Sequence, residues 1–97
     1  MMVMTVLEAQ VAEDKWELLK QTFCQEIETL DPGINQTLLM QDARNRAQWR
    51  IATVWSSREA LDAMRATGQT PRGVVMFRTA GAEPTLNVFE IAAAASA

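Results

Sequence analysis

The sequence predicts an α+β fold, a ferredoxin-like βαββαβ chain with a four-stranded antiparallel sheet and both helices on one sheet face. Three observations carry this. Segments of period-2 alternation are followed twice by segments of helical period. The junction Arg50–Leu61 passes from alternation into a capped helix with Trp55 at the corner. The 97 residues suit a single domain, with a core over about 3–91 and an alanine-rich tail at 92–97.

The first strand covers Val3 to Val11. Val3, Thr5, Leu7, Ala9 and Val11 share one face, and Met4, Val6, Glu8 and Gln10 the other. From Glu13 to Leu30 the period changes: Trp16, Leu19, Phe23, Ile27 and Leu30 form one helical stripe. Glu13 and Asp14 fall in its first turn, where the helix dipole favours negative charge. Asp31-Pro32-Gly33 ends it, because proline cannot continue a helix and glycine permits a sharp turn.

Alternation returns from Ile34 to Gln41 and from Gln48 to Trp55, joined by the polar loop Asp42 to Ala47, which reads as a hairpin. On the simple alternation, Ile34, Gln36, Leu38 and Met40 oppose Asn35, Thr37, Leu39 and Gln41. Ser56 and Glu59 have capping-box spacing for the second helix, whose inner face is Ala60, Leu61 and Met64. Gly68 is placed to end it. Val74 to Thr79 fits either a short strand or one or two helical turns. Thr85 to Ile91 is the last strand.

Helices on one face leave the other face bare. Met4, Val6, Leu39, Val54, Phe89 and Ile91 are expected there, and an apolar patch of that size marks an interface. A homodimer with its sheets face to face is therefore expected. Hydrophobic residues make up 48% of the chain, ample for a second buried surface.

Composition excludes several classes. The net charge is −3, and the arginines Arg44, Arg46 and Arg50 form no stripe of the kind that binds nucleic acid. No apolar run approaches the roughly 18 residues of a membrane span. The one cysteine, Cys24, rules out an internal disulfide and fits a reducing, cytoplasmic location. It is expected to be a small, at least half-buried hydrophobe beside Phe23. Histidine is absent, which removes the usual neutral-pH base and the commonest metal ligand. No metal site is expected.

With Asp31-Pro32-Gly33 before the second strand, Thr53–Leu61 running into the second helix, and the closing Pro84–Ile91, the chain resembles the antibiotic biosynthesis monooxygenase family of dimeric α+β barrels. The likeness spans about Val3 to Ile91. It implies a homodimer with a pocket between sheet and helices in each subunit. Some members oxidise quinol-like or anthrone-like aromatics with oxygen and no cofactor; others degrade haem, act on a signalling metabolite or have no known activity. The haem-degrading branch relies on an axial histidine, which this chain lacks. In the anthrone-oxidising branch the matching residue is Trp55, and a polar amide of that branch falls at Ile51.

Candidate residues follow. Trp55 offers a large apolar face and one N–H donor to a flat aromatic ligand, and would equally lock the strand–helix corner. Trp16, Phe23, Trp49, Ile51 and Met64 line an apolar pocket or, by the same spacing, a closed core. Arg72 and Arg78 flank the ambiguous segment and are the candidates for holding a substrate oxyanion; surface solvation is their default. Asn35, Gln36 and Thr53 are the polar groups expected near the sheet. Two functions compete: a cofactor-independent monooxygenase acting on a small aromatic, and a non-catalytic binding or dimerisation module on the same fold.

Overall fold

A computed structural model describes all residues, Met1–Ala97. Strands β1 (Val3–Gln10), β2 (Ile34–Gln41), β3 (Gln48–Trp55) and β4 (Thr85–Glu90) form one antiparallel sheet in the order β2-β3-β1-β4. Helices α1 (Trp16–Glu26, preceded by a 3₁₀ turn at Glu13–Lys15), α2 (Arg58–Ala66) and α3 (Arg72–Thr79) complete the chain. This is the expected α+β ferredoxin-like fold, with a third helix.

The segment left open between strand and helix is α3. Pro71 precedes it, and Met76 and Phe77 are its buried residues. Phe77 is fully buried, in a core with Leu19 and Phe23 of α1 and with Leu7, Trp49 and Ile51 of the sheet. The expected helix over Glu13–Leu30 is shorter at its end. The Arg72 guanidinium takes the main-chain carbonyls of Glu26 and Thr29 as acceptors and pairs with the Glu26 carboxylate at 3.1 Å. A cation thus closes the last turn, where the dipole favours positive charge.

Two local assignments move by one residue. The cap of α2 is Ser57, whose hydroxyl accepts the Ala60 N–H at 3.1 Å, not Ser56. Ser56 instead donates its N–H to the Gly33 carbonyl at 2.8 Å, tying the strand–helix corner to the Asp31-Pro32-Gly33 turn. Gly33 has φ +89°, and an added Cβ there would lie 2.5 Å from Ala60 Cβ. Only glycine fits both the left-handed backbone and the contact with α2.

The second shift changes a face. A β-bulge between Ile34 and Gln36 adds a residue and reverses the phase of β2. Thr37 then pairs with Thr53 and Leu39 with Ile51, so Leu39 packs against the core rather than on the open face. Leu38 and Met40 take its place there, at 43% and 40% exposure. Met4 and Phe89 are cross-strand partners on that same face, which carries an ionic group at its other end: Arg50 bonds Glu8 at 2.8 Å and Asp42 at 3.4 Å.

Asp42 also starts the hairpin loop by accepting the N–H groups of Asn45 and Arg44 at 2.9 and 2.8 Å. These bonds, with Asn45 first, hold its carboxyl below the usual carboxylate range. Cys24 is exposed, not half-buried, because it lies just off the buried Leu19–Phe23 line of α1.

Candidate functional site

The helix-facing side of the sheet is laid out in cross-strand rows. The strand registers place Ile34, Trp55 and Val3 in one row, Thr37, Thr53 and Thr5 in the next, and Leu39, Ile51 and Leu7 in the third. The outer rows are apolar and each seeds a core. Val3 and Trp55 pack with Leu61 of α2. Leu7 and Ile51 pack with Met76 and Phe77 of α3. The middle row is polar, and the two cores separate along it.

A cavity of about 90 Å³ lies on that row. Thr5, Thr37 and Thr53 line it, with Trp55, Leu61 and Met64 on one side and Leu7, Ile51 and Met76 on the other. Gly73 lets α3 approach closely: a Cβ there would lie 2.7 Å from a Leu7 methyl. Asp31, Arg65 and Arg72 also border the cavity. A wider surface groove of about 420 Å³ adjoins it and shares Asp31, Met64, Pro71 and Arg72. Those four residues are the partition between cavity and groove.

The polar groups on the floor bond one another. Trp55 donates its indole N–H to the Thr5 hydroxyl at 3.3 Å. The Thr37 and Thr53 hydroxyls lie 3.0 Å apart. At the rim, Arg72 contacts Glu26, the Thr29 carbonyl and, at 3.7 Å, Asp31. Its donors are thereby committed to the end of α1. Arg65 borders the cavity with no carboxylate within ion-pair distance.

The structure brings five of the sequence candidates together here: Ile51, Thr53, Trp55, Met64 and Arg72. Trp16, Phe23 and Trp49 lie in or against the larger closed core, where the Trp16 and Trp49 rings stand 6.1 Å apart. Arg78 is on the surface in a two-pronged pair with Glu83 at 2.8 and 2.9 Å. That pair raises the arginine's proton affinity and holds the Glu83 carboxyl low. Asn35 and Gln36 are exposed. Thr5, Thr37 and Arg65 were not among the sequence candidates. Thr5 was visible on the inner alternation of β1; Thr37 joins the row only through the bulge. No three His, Cys, Asp or Glu side chains lie close enough together to hold a metal ion.

No helix is long and apolar enough to cross a membrane. A sequence model described as "Antibiotic biosynthesis monooxygenase" matches residues 2–72. No curated protein sequence gives a match. Among solved structures the chain is similar to SnoaB, a cofactor-independent oxygenase from Streptomyces nogalater, at 16% identity over 96% of this chain and 95% of that one, with a TM-score of 0.70. It is similar to a heme-degrading protein of Mycobacterium tuberculosis at 19% identity over 99% and 100%, TM-score 0.74. It is also similar to the protein Rv0793 of the same organism at 18% identity over 99% and 100%, TM-score 0.72. At such identities the likeness to these structures is one of fold alone.

Proposed function

The chain belongs to the antibiotic biosynthesis monooxygenase family, and from that premise we propose that it oxidises a small, electron-rich aromatic in the cavity beside Trp55, using oxygen and no cofactor. The observation that carries this is a largely apolar cavity, walled by an indole and floored by hydroxyls, between the sheet and its helices. Small-molecule sites have this composition, mostly apolar with a few placed polar groups.

For an anthrone the chemistry balances without a further reagent. The ring CH₂ loses a proton to water at the mouth. The resulting carbanion, delocalised as an enolate, forms a C–O bond to O₂, giving a peroxide. The peroxide O–O bond breaks as the second hydrogen of the former CH₂ leaves as a proton. The net change is CH₂ plus O₂ to C=O plus H₂O. The protein's part is to exclude water and to place hydrogen-bond donors where negative charge develops on oxygen.

Size constrains the reading. A dry apolar cavity of about 150 Å³ holds one benzene ring, so about 90 Å³ does not take a fused aromatic as it stands. The adjoining groove supplies the room once Met64 turns aside. Methionine suits that role, having three rotatable bonds.

Oxygen uptake above the spontaneous rate, one O₂ per anthrone with quinone as product, is the expected result for dithranol or a related anthrone. It should fall at least tenfold in Trp55→Ala. No uptake across a panel of anthrones and quinols would remove the oxygenase reading. One observation favours the second reading, a non-catalytic binding module: Ile51 stands where the oxidising branch is expected to carry an amide, so no amide donor reaches the cavity from that position. Binding without uptake is the outcome that supports it.

We also propose that the protein is a homodimer joined through the open sheet face. Exposed Leu38, Met40 and Phe89 on that face support this.

A further inference from the structure

We infer that Thr5 and Thr53 form a two-hydroxyl cradle for one oxygen of the ligand, a keto or phenolate oxygen on a flat ring, and that Trp55 is a positioning residue acting on that oxygen through Thr5. The inference rests on the cavity being the ligand site.

The proton inventory carries it. An indole N–H only donates, and a threonine hydroxyl has one proton to give and two lone pairs. Trp55 donates to Thr5 at 3.3 Å, so the Thr5 oxygen accepts and its own proton is free. No other hydrogen bond uses that hydroxyl. Either hydroxyl of the Thr37–Thr53 pair can be the donor; with Thr37 donating, the proton of Thr53 is free for the ligand. The floor thus spends two of its four donor protons internally and offers two to the cavity.

The spacing is right for a single acceptor. Thr5 and Thr53 are direct cross-strand partners, so their β-carbons stand about 5 Å apart. With both hydroxyls turned to the cavity, carbons at that spacing allow one oxygen to accept from each at about 2.7 Å, the usual O–H···O length. The donor from Trp55 strengthens the Thr5 hydroxyl as a donor in turn, since chained hydrogen bonds polarise one another.

The donors are neutral, which sets the ligand class. A carboxylate or phosphate asks for a paired cation when buried. The cations near this cavity, Arg65 of α2 and Arg72 of α3, line it from the helices and not from the threonine row; Arg72 is bonded to Glu26 and Asp31, and the unpaired Arg65 would draw a carboxylate to the helix side, away from the two hydroxyls. A delocalised oxyanion, an enolate or a phenolate, needs only the two hydroxyl donors. The ligand therefore enters with its carbonyl or phenol edge toward the sheet.

A phenolic probe reads this directly. 2-Hydroxyanthraquinone changes colour on ionisation, and its pKa can be titrated while bound. Burial alone raises a phenol's pKa and donated hydrogen bonds lower it, so the comparison between variants is the readout. Glu26, Asp31, Arg65 and Arg72 face the cavity in every variant, and their effect cancels. The bound pKa is expected to be higher in Thr5→Val than in wild type by about one unit or more, the worth of a hydrogen bond to a charged group. Thr53→Val should act in the same direction. Thr5→Ser should restore the wild-type value, which a packing role for the threonine methyl would not. Trp55→Phe should give a smaller rise in the same direction. Equal values in wild type and Thr5→Val, or equal shifts in Thr5→Val and Thr5→Ser, would overturn the cradle alone. Failure of the probe to bind wild-type protein would overturn the cavity as the ligand site, and the cradle with it.

Discussion

Phe77→Ala is expected to cost about 3–5 kcal/mol of folding stability, the range for removing a buried aromatic ring from a well-packed core. A domain of this size has a total of only about 5–15 kcal/mol, so the variant should be near the limit of folding. Phe77 is fully buried, and it joins α3 to Leu19 and Phe23 of α1 and to the Leu7–Ile51 row of the sheet. Urea denaturation measures the loss. Val75→Ala on the same helix, at 48% exposure, should change stability by no more than about 0.5 kcal/mol. Similar losses in both variants would mean that α3 is not seated as described.

Phe89→Glu is expected to convert a dimer into a monomer. Phe89 is 51% exposed, with Met4 opposite it on the next strand. In a face-to-face pair of sheets a carboxylate there would be buried without a partner, which costs several kcal/mol. Each 1.4 kcal/mol weakens association tenfold, so dissociation should be complete at micromolar concentration. Sedimentation velocity distinguishes the species. The variant monomer should keep the wild-type circular dichroism, because the substituted side chain lies outside both cores. A wild-type monomer at the same concentration would contradict the role given to the open face.

Much of this fold was legible in the sequence because two periods are hard to confuse over eight residues or more. Val3–Gln10, Gln48–Trp55 and the Trp16–Phe23 stripe are of that kind. Val74–Thr79 was not, since Val-Val-Met-Phe is apolar throughout and six residues make fewer than two helical turns. Its neighbours decide it: Gly73 permits close seating on Leu7, and Phe77 fills the gap above Trp49 and Ile51.

The site was less legible than the fold. Trp55 could be found from the strand–helix corner, and Ile51 through the family resemblance, at the position where the anthrone-oxidising branch carries an amide. The threonine row could not. Thr5 and Thr53 lie 48 positions apart and meet only through the β1–β3 register. Thr37 meets Thr53 only because the bulge at Ile34–Gln36 reverses the phase of β2, and a bulge leaves no period to read. The arginines misled in the opposite sense. Arg72 and Arg78 read as free cations, yet their partners Glu26 and Glu83 occupy them. Arg65, which borders the cavity, carries no sequence signal that sets it apart from the other charges of α2.

Three indole N–H groups make the most direct measurement of where a ligand binds. Titration of ¹⁵N-labelled protein with an anthraquinone should shift the Trp55 indole signal and the amides of Thr5, Thr37 and Thr53. The indole of Trp49, buried without a hydrogen-bond partner in the closed core, and that of Trp16, bonded to the Val11 carbonyl at 2.9 Å, should stay in place. Shifts confined to Met4, Val6, Val54 and Phe89 would put the ligand on the open sheet face. Shifts at Trp49 and Trp16 would put it in the larger core. Either result would contradict a ligand site on the threonine row beside Trp55.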